Sequence, residues 1–167
     1  MNIFYLDSNP FICAKYHCDK HVVKMILEYA QMLSTAHRVL DGYDGDTLCR
    51  ATHVNHPCSK WVRASIANYN WLYILFTELL NEYTYRYGKH HQYEKLIMPL
   101  NKVPKNIDNI GFTSPPQCMP DDCKDVNVID AYRKYYFRYK SKILKWKKRD
   151  IPNFLVSCPI LMLRESQ

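Results

Sequence analysis

A chain of 167 residues is about one domain's worth of sequence. With 47% hydrophobic and 23% charged residues it matches an average soluble domain, and no apolar run nears the ~18 residues of a membrane span. A net charge of +7 and an aromatic share of 14% suit a nucleic-acid partner, while only four glycines leave no room for a GxGxxG or Walker-type phosphate loop, which excludes a Rossmann dinucleotide site and a P-loop ATPase. Seven cysteines, an odd number with no signal peptide ahead of them, point to a reduced, cytoplasmic protein.

The first element is short and apolar, Ile3 to Leu6, closed by Asp7-Ser8-Asn9-Pro10, and reads as a short N-terminal β element. From Asp19, apolar residues at Val22, Ile26, Tyr29, Leu33, Ala36 and Leu40 predict an amphipathic helix ended by Asp41-Gly42. After an aperiodic loop, Pro57 opens a helix predicted over 57–87, about 45 Å long with room for a kink, and Gly88 stops it. A shorter helical piece over 90–100 leads into a long loop with Pro104, Pro115, Pro116 and Pro120. Asp125 reads as the cap of a last helix reaching about Trp146. The fold class is mainly α: a single helical domain with that β element and the proline-rich loop, its core over 1–146 and a basic extension over 147–167.

Four constellations carry candidate chemistry. In Cys18-Asp19-Lys20-His21-x-x-Lys24, the spacing puts His21, Lys24, Glu28 and Gln31 on one polar helical stripe, an imidazole for proton transfer beside an ammonium for phosphate. Cys18, at a helix start near Lys20, is a candidate thiolate. In His53-Val54-Asn55-His56-Pro57-Cys58, with Trp61 and Arg63 following, two histidines precede a helix start that favours anions. The loop 112–120 presents Gln117, whose amide matches a pyrimidine edge. The run 132–149 interleaves Arg133, Arg138, Lys142 and Lys145 with aromatics, a pattern suited to a DNA backbone. Cys13, His17, Cys18 and His21, or His53, His56 and Cys58, include metal-ligand types, but the familiar CxxC and HxxxH spacings are missing, so no metal and no cofactor is expected.

Together with Tyr83-x-x-Arg86-Tyr87-Gly88-Lys89-x-His91, Gln117-x-Met119-Pro120 and Tyr132-Arg133-x-Tyr135-Tyr136, these motifs resemble the bacteriophage amino acid:DNA transferases of thymine hypermodification over about residues 1–146. The resemblance implies a DNA partner containing a modified pyrimidine, pyrophosphorylated 5-hydroxymethyluracil, on which a small amine co-substrate, an amino acid or polyamine, replaces the pyrophosphate. It implies host-cell cytoplasm for a phage-encoded chain. Lys20, Lys24, Arg63 and His53 would hold the pyrophosphate, and either His21 or His56 would deprotonate the amine. Gln117, Trp61 and Asn55 would hold the flipped base, and either Cys18 or Cys58 would add to the ring to expel the pyrophosphate or the amine would displace it directly. Two other readings stand beside it: a glycosylase or lyase in which Lys20 or Lys24 forms a Schiff base, and a non-catalytic phage DNA-binding protein using the basic stripe alone.

Overall fold

The computed structural model describes residues 1–156 and is helical throughout, with no β-strand among them. The helices are α1 (Pro10–Tyr16), α2 (Asp19–Asp41), α3 (Pro57–Val62), α4 (Ile66–Tyr87), α5 (Ile97–Leu100), α6 (Val128–Lys140) and α7 (Asn153–Val156). None is long and apolar enough to cross a membrane. Residues 157–167, the end of the expected basic extension, lie outside the described part.

The expected N-terminal β element is instead an extended arm. Ile3, Phe4, Tyr5 and Leu6 are all buried, and they enter the helical core without a partner strand. Their backbone is satisfied piecemeal: Phe4 N–H donates to the Tyr29 hydroxyl at 3.2 Å, and the Leu6 carbonyl accepts from Arg133 Nε at 3.0 Å. A buried backbone needs partners of some kind, and here side chains supply them. The Asn9-Pro10 pair that reads as turn punctuation also starts α1, with Asn9 Oδ1 accepting from Phe11 N–H and Pro10 in the first turn.

Helix α2 follows its predicted periodicity and ends at Gly42, whose φ of 64° is the left-handed cap geometry that glycine adopts without steric cost. The helix expected over 57–87 is broken into α3 and α4. Ser65 takes an extended conformation, and its Oγ accepts from Ala67 N–H while donating to the Gly111 carbonyl at 2.7 Å. Asn68 then bridges the break to the loop, donating to the Trp61 carbonyl and accepting from Thr113 N–H. The predicted piece over 90–100 begins as a 3-10 turn at Gln92–Leu96 before α5. Helix α6 is capped by Asn127 rather than Asp125 and ends at Lys140, well short of Trp146. Trp146 instead folds back to donate to the Tyr16 carbonyl at 3.1 Å. Helices α1 and α2 both pack on α4, and α3 packs on α2, which carries the start of α3 to the middle of α2.

Candidate active site

The polar stripe expected on α2 is divided between core and solvent. His21 is 6% exposed and stacks on Phe4 with ring centroids 4.2 Å apart. Its Nδ1 lies 2.6 Å from the Tyr136 hydroxyl. Burial, followed by the charges of His17, Lys140 and Lys24, pushes its pKa down to about 3, so near neutral pH it is an uncharged packing residue rather than a base in a groove. Cys18 is fully buried and burial raises its pKa, the reverse of the expected thiolate. Lys20 and Lys24 are exposed.

The neutral histidines have a measurable consequence. Burial also lowers His17 to about 4, its Nδ1–H donating to the Cys13 carbonyl and its Nε2 accepting from Tyr29. In the unfolded chain both rings titrate near 6.5. Below that pH the unfolded state takes up protons that the native state refuses, so stability is full above 6.5 and falls as pH drops toward 3–4. At pH 5 the loss is about 2 kcal/mol for each ring. Urea unfolding at pH 8 and pH 5 reads this as a lower midpoint in acid, and an unchanged midpoint contradicts the burial of both rings.

The second constellation is likewise redistributed. His53 is exposed, with a left-handed φ of 48° and Nδ1 2.8 Å from Thr52 Oγ1, and Asn55 is exposed beside it. Arg63 donates to the Val54 carbonyl at 2.8 Å, which commits one arm of the guanidinium to the backbone. Trp61 is 7% exposed, meets Trp71 and Phe112 edge to face and donates to the Thr113 carbonyl, so it is committed to packing. Gln117 spends its amide inside its own loop: Nε2 donates to the Asp125 carbonyl at 2.6 Å and Oε1 accepts from Asp125 N–H at 3.0 Å. Neither is free to hold a base. In the basic stripe, Arg133 clamps the Leu6 carbonyl and Asp7, and Arg138 pairs with Asp122 at 3.0 Å. Lys142 and Lys145 are exposed.

The two segments do converge, but on Glu28 and the start of the chain. The Met1 ammonium lies 3.8 Å from Glu28 Oε2, Asn2 N–H donates to the same oxygen at 3.2 Å, and Lys24 Nζ is 3.4 Å from Oε1. The Met1 side chain is 2% exposed although the residue as a whole is half-buried, so its exposure belongs to main-chain atoms. The Asn2 side chain fixes this end of the chain. Its Nδ2 donates to the Cys118 carbonyl at 2.8 Å, and its Oδ1 accepts from the Tyr132 hydroxyl at 2.8 Å.

Around this centre stand His56, Cys58 and Cys118. His56 caps α3, its Nδ1 accepting from Cys58 N–H at 3.2 Å. Burial, then the Met1 ammonium, lowers its pKa. The Cys58 thiol donates to Cys118 Sγ, which brings Cys118 down to about 7 while Cys58 is raised. Sequence reasoning placed Glu28 on the polar stripe and Cys58 near the base, but it missed Met1, Asn2, Cys118 and Tyr132. Asn2 and Tyr132 lie 130 positions apart, and the four share no local pattern.

A carboxylate facing two amines, with an imidazole and thiols alongside, is an arrangement for proton transfer and amine chemistry. A sequence-family model described as pyrimidine dimer DNA glycosylase matches residues 1–95, a span holding Met1, Asn2, Lys24, Glu28, His56 and Cys58. No curated protein and no solved structure gives a significant match. The match supports action on DNA bases but not the transferase family that the motifs resemble, and it gives no support to an amine co-substrate. With 95 of its 167 residues matched, the chain belongs to the pyrimidine dimer DNA glycosylase family, a family of enzymes that act on DNA bases.

Proposed function

We propose that the protein is a DNA glycosylase that releases a damaged pyrimidine by attack of one of its own amines. The carrying observation is the pair of amines on Glu28, the Met1 α-amino group at 3.8 Å and Lys24 Nζ at 3.4 Å. An amine attacks only as the free base, and Glu28 is placed to take its proton. The nitrogen then bonds to the sugar C1′ as the glycosidic C–N bond breaks, and the electron pair leaves with the base, which takes up a proton. Opening of the sugar ring leaves an iminium joining enzyme and DNA, with the former ring oxygen protonated as a hydroxyl. The Met1 nitrogen is favoured by its place: the Met1 side chain is 2% exposed and Asn2 N–H binds the same Glu28 oxygen, while the Lys24 side chain is 69% exposed. Lys24 on the exposed side of Glu28 then serves the phosphate backbone, as does neighbouring Lys20.

Borohydride reduces such an iminium to a stable amine, so incubation with DNA carrying a pyrimidine dimer traps a covalent complex. Peptide mapping is expected to find the adduct on Met1, with undamaged DNA giving none. Cleavage of the glycosidic bond without a trapped complex, or an adduct on a lysine remote from Glu28, overturns the assignment.

A further inference from the structure

We propose that His56, Cys58 and Cys118 form a binding site for one thiophilic divalent cation, represented by Zn2+. One ligand-type atom from each residue lies within 4.8 Å of the other two. The two sulfurs are 3.7 Å apart. A tetrahedral zinc with Zn–S bonds of ≈ 2.3 Å sets its sulfurs roughly 3.8 Å apart, so Cys58 and Cys118 already span one edge of the coordination polyhedron. Bringing the imidazole nitrogen to bonding distance takes a small movement of a half-buried ring at a helix end.

The cluster is accessible as well. Cys58 is fully buried while His56 and Cys118 are half-buried, which leaves a route from solvent. Both thiols lose their protons on binding, giving a neutral Cys2His site, and three protein ligands leave a fourth position for water. Asn2 Oδ1, 3.8 Å from Cys58 Sγ, faces the same cluster. Ligation through either nitrogen of His56 ends its cap bond to Cys58 N–H, because a neutral ligating imidazole has no second lone pair to offer. The exchange gives up the cap bond and the Cys58 thiol's weak contacts to Cys118 Sγ and Asn2 Oδ1 for two metal–thiolate bonds and one metal–imidazole bond. A cation here fastens the proline-flanked loop to the start of α3, beside the Asn2 side chain that also holds the Cys118 carbonyl.

This site does not rest on the glycosylase reaction, and its test needs no DNA. Reduced full-length protein is titrated with Co2+ and then Zn2+. One equivalent of Co2+ is expected to give thiolate-to-cobalt charge-transfer absorption, which Zn2+ abolishes by displacement. Cys118→Ser weakens binding at least tenfold, and Cys49→Ser, outside the cluster, leaves it unchanged. His56→Asn keeps a good helix cap while removing the ring ligand, so its loss of binding is not a loss of fold. Absence of the charge-transfer band, full binding by Cys118→Ser or His56→Asn, or recovery of the reduced protein as a metal-free Cys58–Cys118 disulfide overturns the proposal.

Discussion

Glu28→Gln is expected to lower base release by about 10²- to 10⁴-fold, the usual contribution of a positioned acid or base. It is expected to abolish borohydride trapping on the same timescale. The substitution keeps the shape of the side chain, and the glutamine carbonyl still accepts from Asn2 N–H, which the carboxylate now holds at 3.2 Å. What disappears is the anion facing the Met1 ammonium and Lys24. Without it the attacking amine loses the carboxylate that faces it to take its proton, and the positive charge that grows at C1′ as the base leaves loses its counter-charge. The effect falls on kcat more than on DNA affinity. Lys24→Met gives the opposite pattern, because a side chain 69% exposed on the rim of the site contributes to phosphate binding and to its salt dependence. Single-turnover kinetics at saturating enzyme separates the two. A Glu28→Gln protein that releases base at the wild-type rate removes Glu28 from the chemistry.

That a centre built on Glu28 is only partly legible in the sequence has a physical cause. The α2 periodicity reports one buried face, and Val22, Ile26, Tyr29, Leu33 and Ala36 on it are inside, with Leu40 at its end half-buried. His21 breaks the polar reading because a neutral imidazole buries readily once Tyr136 satisfies it, and a helix packed on α3 and α4 and met at His21 by Phe4 of the arm and Tyr136 of α6 buries more than one stripe. The run Ile3 to Leu6 has the apolar character and length of a short strand, but strand formation requires a partner edge that no other described segment provides. The break between α3 and α4 was hidden for a related reason. Ser65 is an ordinary helix-surface residue until Gly111 and Thr113 arrive, 46 and 45 positions from the Ser65 and Asn68 that they bind across the gap. The meeting of Met1, Asn2, Glu28, His56, Cys58 and Cys118 is tertiary in the same sense. Only His56-x-Cys58 leaves a local trace of it.

Replacing Arg86 with methionine is expected to cost about 3–5 kcal/mol of stability, the penalty for leaving a buried ion pair without one partner. Arg86 has no solvent exposure, and every donor with a described partner meets an oxygen. Its Nε binds Glu82 at 2.9 Å, Nη1 reaches both the His17 carbonyl and Asp19, and Nη2 donates to the Lys15 carbonyl at 3.0 Å. One guanidinium thus ties the end of α4 to the end of α1 and to the first residue of α2. Methionine fills much of the volume but leaves Glu82, 4% exposed, with Arg149 as its remaining cation, and it strands two carbonyls that α1 cannot reuse. For a chain of this size the loss corresponds to a drop in Tm of roughly 10 °C. Glu82→Leu added to Arg86→Met should recover part of it, since the orphaned carboxylate is then gone as well. Because Glu28 lies more than two turns along α2 from Asp19, the folded fraction of the Arg86→Met protein should still trap DNA at the wild-type rate well below its Tm. A thermal shift of only one or two degrees in calorimetry would show that water enters this cluster and solvates the charges that the structure shuts away.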